Sequence, residues 1–183
     1  MDDKGLYIVT GATGGIGRAL TEGLCRKGLR VVMACRNMEK AEAVRQGIMR
    51  SGRAGNGEIT VRTLDMASLG SIGRFAEELR SEGAEIAALV NNAGVAGQAL
   101  FQDVTDALWE RYFAVNLNGA RNTIQAVLPN MLHEKSGCIV NISSIWGQHG
   151  ASCEVTYSCT KHALIGLTRS LAMELAPSGI RVT

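Results

Sequence analysis

LYIVTGATGGIGRAL, residues 6–20, passes from a short apolar run through a cluster of glycines into a stretch with helical spacing. The run at 6–10 is rich in β-branched residues and reads as a strand. From residue 16 to 27 the apolar positions recur at helical intervals. Glycines 11, 15 and 17 lie between the two elements. Without a Cβ the backbone there can turn sharply and come close to a phosphate. The helix that follows offers free N–H groups and the positive end of its dipole. The spacing is G-x-x-x-G-x-G, not the commoner G-x-G-x-x-G. A glycine-rich turn alone says little. After the opening strand of an alternating chain it points to a dinucleotide, with Gly11, Thr13, Gly15, Ile16 and Gly17 as candidate contacts.

The rest of the chain does alternate. Short apolar runs at 30–35, 59–64, 86–91 and 138–142 read as further strands. Longer periodic stretches at 39–51, 68–82, 105–132 and 152–176 read as helices. Gly28, Gly52, Gly83 and Gly137 punctuate the ends, as helix C-caps would. Strands joined by helical crossovers form a parallel sheet, and runs apolar throughout mean a sheet covered on both faces. The expected fold is therefore α/β, a doubly wound, mostly parallel Rossmann-type sheet, with residues 1–183 as one dinucleotide-binding and catalytic domain. The most loop-like stretch is GRAGNGE, 52–58.

Composition narrows the function. Hydrophobic residues are 46% and charged residues 20% of the 183, an ordinary soluble balance with enough chain for one core. A formal net charge of +2 gives no field for nucleic acid or an acidic membrane. No apolar run reaches the length of a membrane span, and the first residues lack the apolar segment of a secretion signal. Five scattered cysteines (25, 35, 138, 153 and 159), none in a C-x-x-C pair, fit the reduced thiols of a cytoplasmic protein. The three histidines (133, 149 and 162) have no metal-ligand spacing, so no metal site is expected.

The second strand ends in MACRN, 33–37. An NAD-binding sheet usually carries a carboxylate there for the adenosine ribose. Here Cys35 takes that place and Arg36 follows. A guanidinium suits a 2′-phosphate, so NADP(H) is favoured over NAD. A solvated loop arginine is the plainer alternative.

In VTYSCTK, 155–161, Tyr157 and Lys161 stand four apart and share a helix face. An ammonium beside a phenol favours the phenolate. The pair is either accidental, on an ordinary amphipathic helix, or the proton-handling part of a site. NNAG, 91–94, follows the fourth strand at the carboxyl edge, where open α/β sheets bind ligands. Asn91 could fix the strand end, and Ala93 and Gly94 would leave room for a cofactor. Asn116 lies in a helical stretch, where an asparagine competes with the helix backbone, which suits a site. Asn118 is its rival.

Taken in order along the whole chain, TGATGGIG, Asp65, NNAG, Asn116, Ser144 and Y-S-C-T-K resemble the short-chain dehydrogenase/reductase family. The first half is also similar to its retinol-dehydrogenase-like members. The second half is more like the bacterial 3-oxoacyl-carrier-protein reductases. The resemblance implies an NADP(H)-dependent oxidoreductase that interconverts a carbonyl and a secondary alcohol, with 3-oxoacyl thioesters as one substrate class. It implies Tyr157 as general acid/base and Lys161 as the group that assists it and holds the nicotinamide ribose. Ser144 would bond the substrate oxygen, with Ser143 as its structural twin, and Asn116 would hold a water linking Lys161 to solvent. Asp65 would face the adenine with Met66 beside it, unless it is only a turn former. Trp146, Gln148 and His149 are candidates for the pocket rim. A non-catalytic dinucleotide-binding regulator or scaffold, or an inactive fragment of a reductase, is the alternative.

Two expectations concern the chain as a whole. Helices 105–132 and 152–176 are long, and the second is apolar on more than one face. The resemblance implies that they pair across a two-fold axis, giving a homodimer or homotetramer. The final PSGIRVT, 177–183, reads as a helix stop and the start of a sixth strand. In the family that strand leads on to a substrate-covering segment, another helix and a last strand. The expectation is a chain that is C-terminally incomplete.

Overall fold

A computed structural model describes residues 5–183. Six strands form one sheet: β1 (Leu6–Thr10), β2 (Arg30–Cys35), β3 (Glu58–Thr63), β4 (Ile86–Asn91), β5 (Gly137–Asn141) and β6 (Ile180–Val182). Their order is β3-β2-β1-β4-β5-β6, and every pair is parallel. The order reverses between β1 and β4, so the crevice at their carboxyl ends is the ligand position of a doubly wound sheet.

The helices are α1 (Gly15–Arg26), α2 (Met38–Arg50), α3 (Leu69–Ser81), α4 (Asp106–Phe113), α5 (Gly119–Glu134) and α6 (Val155–Leu175). Alternation along each strand divides the core in two. Ile8, Val32, Leu89 and Ile139 turn toward α3 and α5, where Phe75, Ile124 and Met131 meet them. Val9, Val31 and Met33 turn the other way, toward Cys25 of α1 and Ala41 and Ile48 of α2. Burying each of the larger of these side chains, Val, Leu, Ile, Phe or Met, contributes about 1.5–3 kcal/mol. On the α1–α2 face, the β4–β5 side opens on a trough of about 720 Å³, lined by Tyr7, Leu24, Val90, Val140 and Ile142.

Side chains start three of the helices. Asn37, Ser68 and Thr105 accept from the backbone N–H of Lys40, Ser71 and Leu108. Helix α1 has no such cap; Gly14 precedes it and leaves the first N–H groups to the crevice.

The structure corrects two expectations. The stretch 105–132 is not one α-helix. A π-helical turn, Ala114–Asn118, separates α4 from α5, and Asn116 within it bonds outside the helix. The expected caps Gly28, Gly52 and Gly83 do take positive φ (83°, 68° and 60°), but Gly137 does not. Lys135 ends α5 in the left-handed conformation, at φ 50°. Gly137 instead opens β5, where a Cβ would come within 2.6 Å of Met131 Sδ.

Candidate active site

The glycine turn, the end of β2, the end of β3 and the NNAG loop enclose a groove of about 730 Å³. Gly11, Thr13, Gly15, Ile16, Gly17, Arg36, Asp65, Met66, Ala93 and Gly94 all line it. The fit is close enough to require glycine. Gly11 has φ +63°, and a Cβ on it would lie 2.7 Å from Ala93 Cα. A Cβ on Gly17 would lie 2.5 Å from the Gly11 oxygen. Bare backbone and uncapped N–H groups therefore face the groove, the arrangement that takes a pyrophosphate. At its far end Arg36 and Lys40 are both exposed. Cys35 is buried beneath the turn, and burial pushes its thiol up, opposed by hydrogen bonds from the Ala12 and Thr13 backbone. Asp65 lines the groove and also accepts from the Ala67 N–H at 3.0 Å, so it forms a turn as well.

Asn91 is the exception. It is 3% exposed and does not line the groove. Its Nδ2 donates to Asn141 Oδ1 at 2.9 Å, and its Oδ1 accepts from the Thr123 hydroxyl at 2.8 Å. Asn141 in turn donates to the Thr168 hydroxyl at 2.9 Å. Asn92 is the asparagine at the groove, donating to the Thr10 and Gly11 carbonyls at 3.0 and 3.1 Å. Thr10 completes the junction, its Oγ1 accepting from the N–H groups of Asn92 and Ala93, both at 3.0 Å. Sequence reading missed both residues. The doubled Asn was the visible signal; which of the two faced the groove was not.

Past Gly94 the groove meets α6. A Cβ on Gly94 would lie 3.4 Å from Asn116 Oδ1 and 3.8 Å from Lys161 Nζ, so these three are neighbours. Asn116 is 2% exposed. Its amide clamps the Val95 backbone, accepting from the N–H at 2.8 Å and donating to the carbonyl at 2.9 Å, and also donates to the Thr160 hydroxyl at 3.2 Å. The π-turn is what aims it there; such turns often occur at functional sites.

Lys161 is 4% exposed, and its Nζ donates to the Ile142 carbonyl at 2.7 Å. Burial lowers its pKa from 10.5 to about 8. The same Nζ faces the half-buried Tyr157 ring, 5.6 Å from its centroid. The two serines divide their roles. Ser143 Oγ donates to the Lys161 carbonyl at 3.2 Å, tying the loop to α6. Ser144 Oγ accepts from the Trp146 N–H at 3.2 Å, which leaves its own proton for another partner. Trp146 is half-buried, while Gln148 and His149 are exposed.

The fold is that of a doubly wound α/β protein, with its groove at the carboxyl ends of the strands. The family profile for short chain dehydrogenases matches residues 6–183. A 3-oxoacyl-[acyl-carrier-protein] reductase of Aquifex aeolicus is 39% identical over 176 residues, 96% of this chain and 69% of that one. An uncharacterised oxidoreductase of Staphylococcus saprophyticus is 33% identical over all 183 residues, 76% of its own length. Among solved structures, a metagenomic short-chain oxidoreductase in complex with NADP superposes with a TM-score of 0.90 at 35% identity, covering 98% of this chain and 80% of that one. The chain belongs to the short-chain dehydrogenase/reductase family. Among the described residues, no helix is long and apolar enough to cross a membrane, and no cluster of ligating side chains could hold a metal ion.

Proposed function

We propose that this chain is an NADP(H)-dependent oxidoreductase that interconverts a carbonyl and a secondary alcohol, with Asn116, Ser144, Tyr157 and Lys161 as its catalytic group. The observation that carries the reading is the buried Lys161 ammonium, which faces the Tyr157 ring at the point where Gly94 ends the groove. NADPH, when bound, supplies the hydride. The chain's own work is to place the carbonyl and handle a proton. The Ser144 hydroxyl bonds the substrate oxygen and orients it. The Tyr157 hydroxyl donates its proton to that oxygen as negative charge develops there, and in the reverse direction takes one from the alcohol. Lys161, whose Nζ stands 5.6 Å from the centre of that ring, stabilises the charge left on the phenol oxygen. Asn116 holds the Val95 backbone, and with it the groove wall beside Lys161.

A cytoplasmic protein working on 3-oxoacyl thioesters is the fuller form of this reading, supported by the similarity to the Aquifex reductase. The decay of NADPH absorbance with an acetoacetyl thioester or a small diketone tests it. No decay with either would overturn it.

Cofactor choice follows from the end of β2. Arg36, with Lys40 beside it, suits the 2′-phosphate, and Cys35 leaves no carboxylate for a free ribose. NADPH should bind at least about tenfold tighter than NADH, about 1.4 kcal/mol. Arg36→Ala should erase most of that gap in fluorescence titrations with the two cofactors. Equal affinities in the parent protein would overturn the assignment.

The same reading makes the protein a homodimer or homotetramer through residues 105–132 and 152–176. Met173 on α6 is 82% exposed, an apolar side chain that a second subunit would cover. Sedimentation at micromolar concentration should give a dimer or larger, and a clean monomer would refute the pairing.

A further inference from the structure

A second cavity, about 150 Å³, lies between the segment 97–104, α4 and the first turn of α6. Gly97, Leu108, Tyr112, Glu154, Thr156 and Tyr157 form its walls. Of these only Tyr157 belongs to the machinery described above. A space of roughly that volume holds one benzene ring, about six non-hydrogen atoms.

Its lining is selective. Tyr112 is 6% exposed, and its hydroxyl abuts Gly97 so closely that a Cβ there would lie 2.9 Å from it. Burial pushes the Tyr112 phenol up, with Arg111 opposing and Glu154 and Tyr157 reinforcing, so it remains a neutral donor at physiological pH. Glu154 places a carboxylate on the wall, in no ion pair among the described residues. An entering anion would meet that charge in a confined space. An alkyl group would leave the Tyr112 hydroxyl unmatched.

We propose that this cavity is the subsite for one arm of the carbonyl substrate, and that it selects a short, uncharged arm bearing a hydroxyl group, as in an α-hydroxy ketone. The inference rests on the reductase reading, because Tyr157 must meet the oxygen of the carbonyl to which the arm is joined. It concerns one arm only and does not depend on whether the other is a thioester.

Three ketones of nearly equal size test it with NADPH: hydroxyacetone, butan-2-one and pyruvate. Hydroxyacetone should show the highest kcat/KM, about tenfold above butan-2-one, with pyruvate lowest. Gly97→Ala places a methyl group against the Tyr112 hydroxyl, and Tyr112→Phe removes only that hydroxyl. Either should bring hydroxyacetone to within about twofold of butan-2-one while NADPH affinity is unchanged. Glu154→Gln should raise pyruvate relative to the other two. A preference that survives both Gly97→Ala and Tyr112→Phe, or a parent protein that prefers pyruvate, overturns the subsite. If the three ketones, the acetoacetyl thioester and the diketone all leave NADPH unoxidised, the reductase reading fails, and an NMR titration with hydroxyacetone decides the cavity separately; turnover of the thioester or diketone with none of the three ketones overturns the subsite. Amide shifts at 97–99 and 153–156 that vanish in Gly97→Ala uphold it; no shifts overturn it.

Discussion

Tyr157→Phe should bind NADPH as the parent does and lose turnover by at least the roughly 10²–10⁴ that a positioned general acid–base group contributes. The substitution removes one oxygen and keeps the ring that faces Lys161 Nζ at 5.6 Å. The backbone carbonyl of Tyr157, which accepts from the Thr160 hydroxyl at 2.8 Å, is untouched. Packing of α6 should therefore survive, and the loss should fall on kcat. Stopped-flow rates of NADPH oxidation, beside a fluorescence titration of the cofactor, separate the two. Turnover near the parental value would remove Tyr157 from the mechanism.

Lys161→Met should lose both turnover and cofactor affinity, and it should also reveal what burying the ammonium costs. In the folded chain this lysine has its pKa lowered from 10.5 to about 8, with burial as the cause. Between those two pH values the unfolded chain binds more protons at this position than the folded one. Stability from this group therefore rises with pH through that window, and the cost is fully present below about 8. The difference between the two pKa values corresponds to a cost on the order of 3 kcal/mol. Against it stands the bond from Nζ to the Ile142 carbonyl, worth about 1 kcal/mol, which a neutral amine can still donate. Parent and Lys161→Met stabilities from urea unfolding should thus diverge in the parent's favour as pH rises from about 8 toward 10.5. Other titrating groups cancel in the comparison. A difference independent of pH would mean that the ammonium is solvated in the folded protein.

The strands were legible because a sheet covered on both faces demands apolar runs, and 30–35 or 86–91 can scarcely be read otherwise. The groove was legible for a related reason. Gly11 and Gly17 stand where any side chain would collide with backbone, so the pattern of small residues carries its shape. What the sequence hid depends on contacts between distant segments. Residues 105–132 have unbroken helical spacing, and the π-turn follows only from the bonds between Asn116 and Val95, 21 positions away. Asn91 and Asn92 are adjacent and alike; Asn91 ends β4 and serves the core, while Asn92, one residue past the strand, serves the groove. Ser143 and Ser144, in the loop after β5, part by their bonds to Lys161 and Trp146. Gly137 looked like a cap because the Met131 side chain that excludes a Cβ there cannot be seen from local pattern.

Thr123, Asn91, Asn141 and Thr168 form a line of side-chain hydrogen bonds running from α5 through β4 and β5 to α6. Asn91 and Asn141 are also directly paired across the two strands. A slip of one residue between β4 and β5 would turn one asparagine to the opposite face and leave the other without its partner. The interior would then hold orphaned amides, at roughly 1–3 kcal/mol each. Apolar neighbours such as Val90 and Val140 would tolerate the slip far better, since burial has no preferred direction. The line thus works as a gauge during folding and admits one alignment of the two strands. Gly94 lies three residues beyond the end of β4 and Ser144 three beyond the end of β5, so whatever fixes that alignment also fixes how far Ser144 stands from the groove.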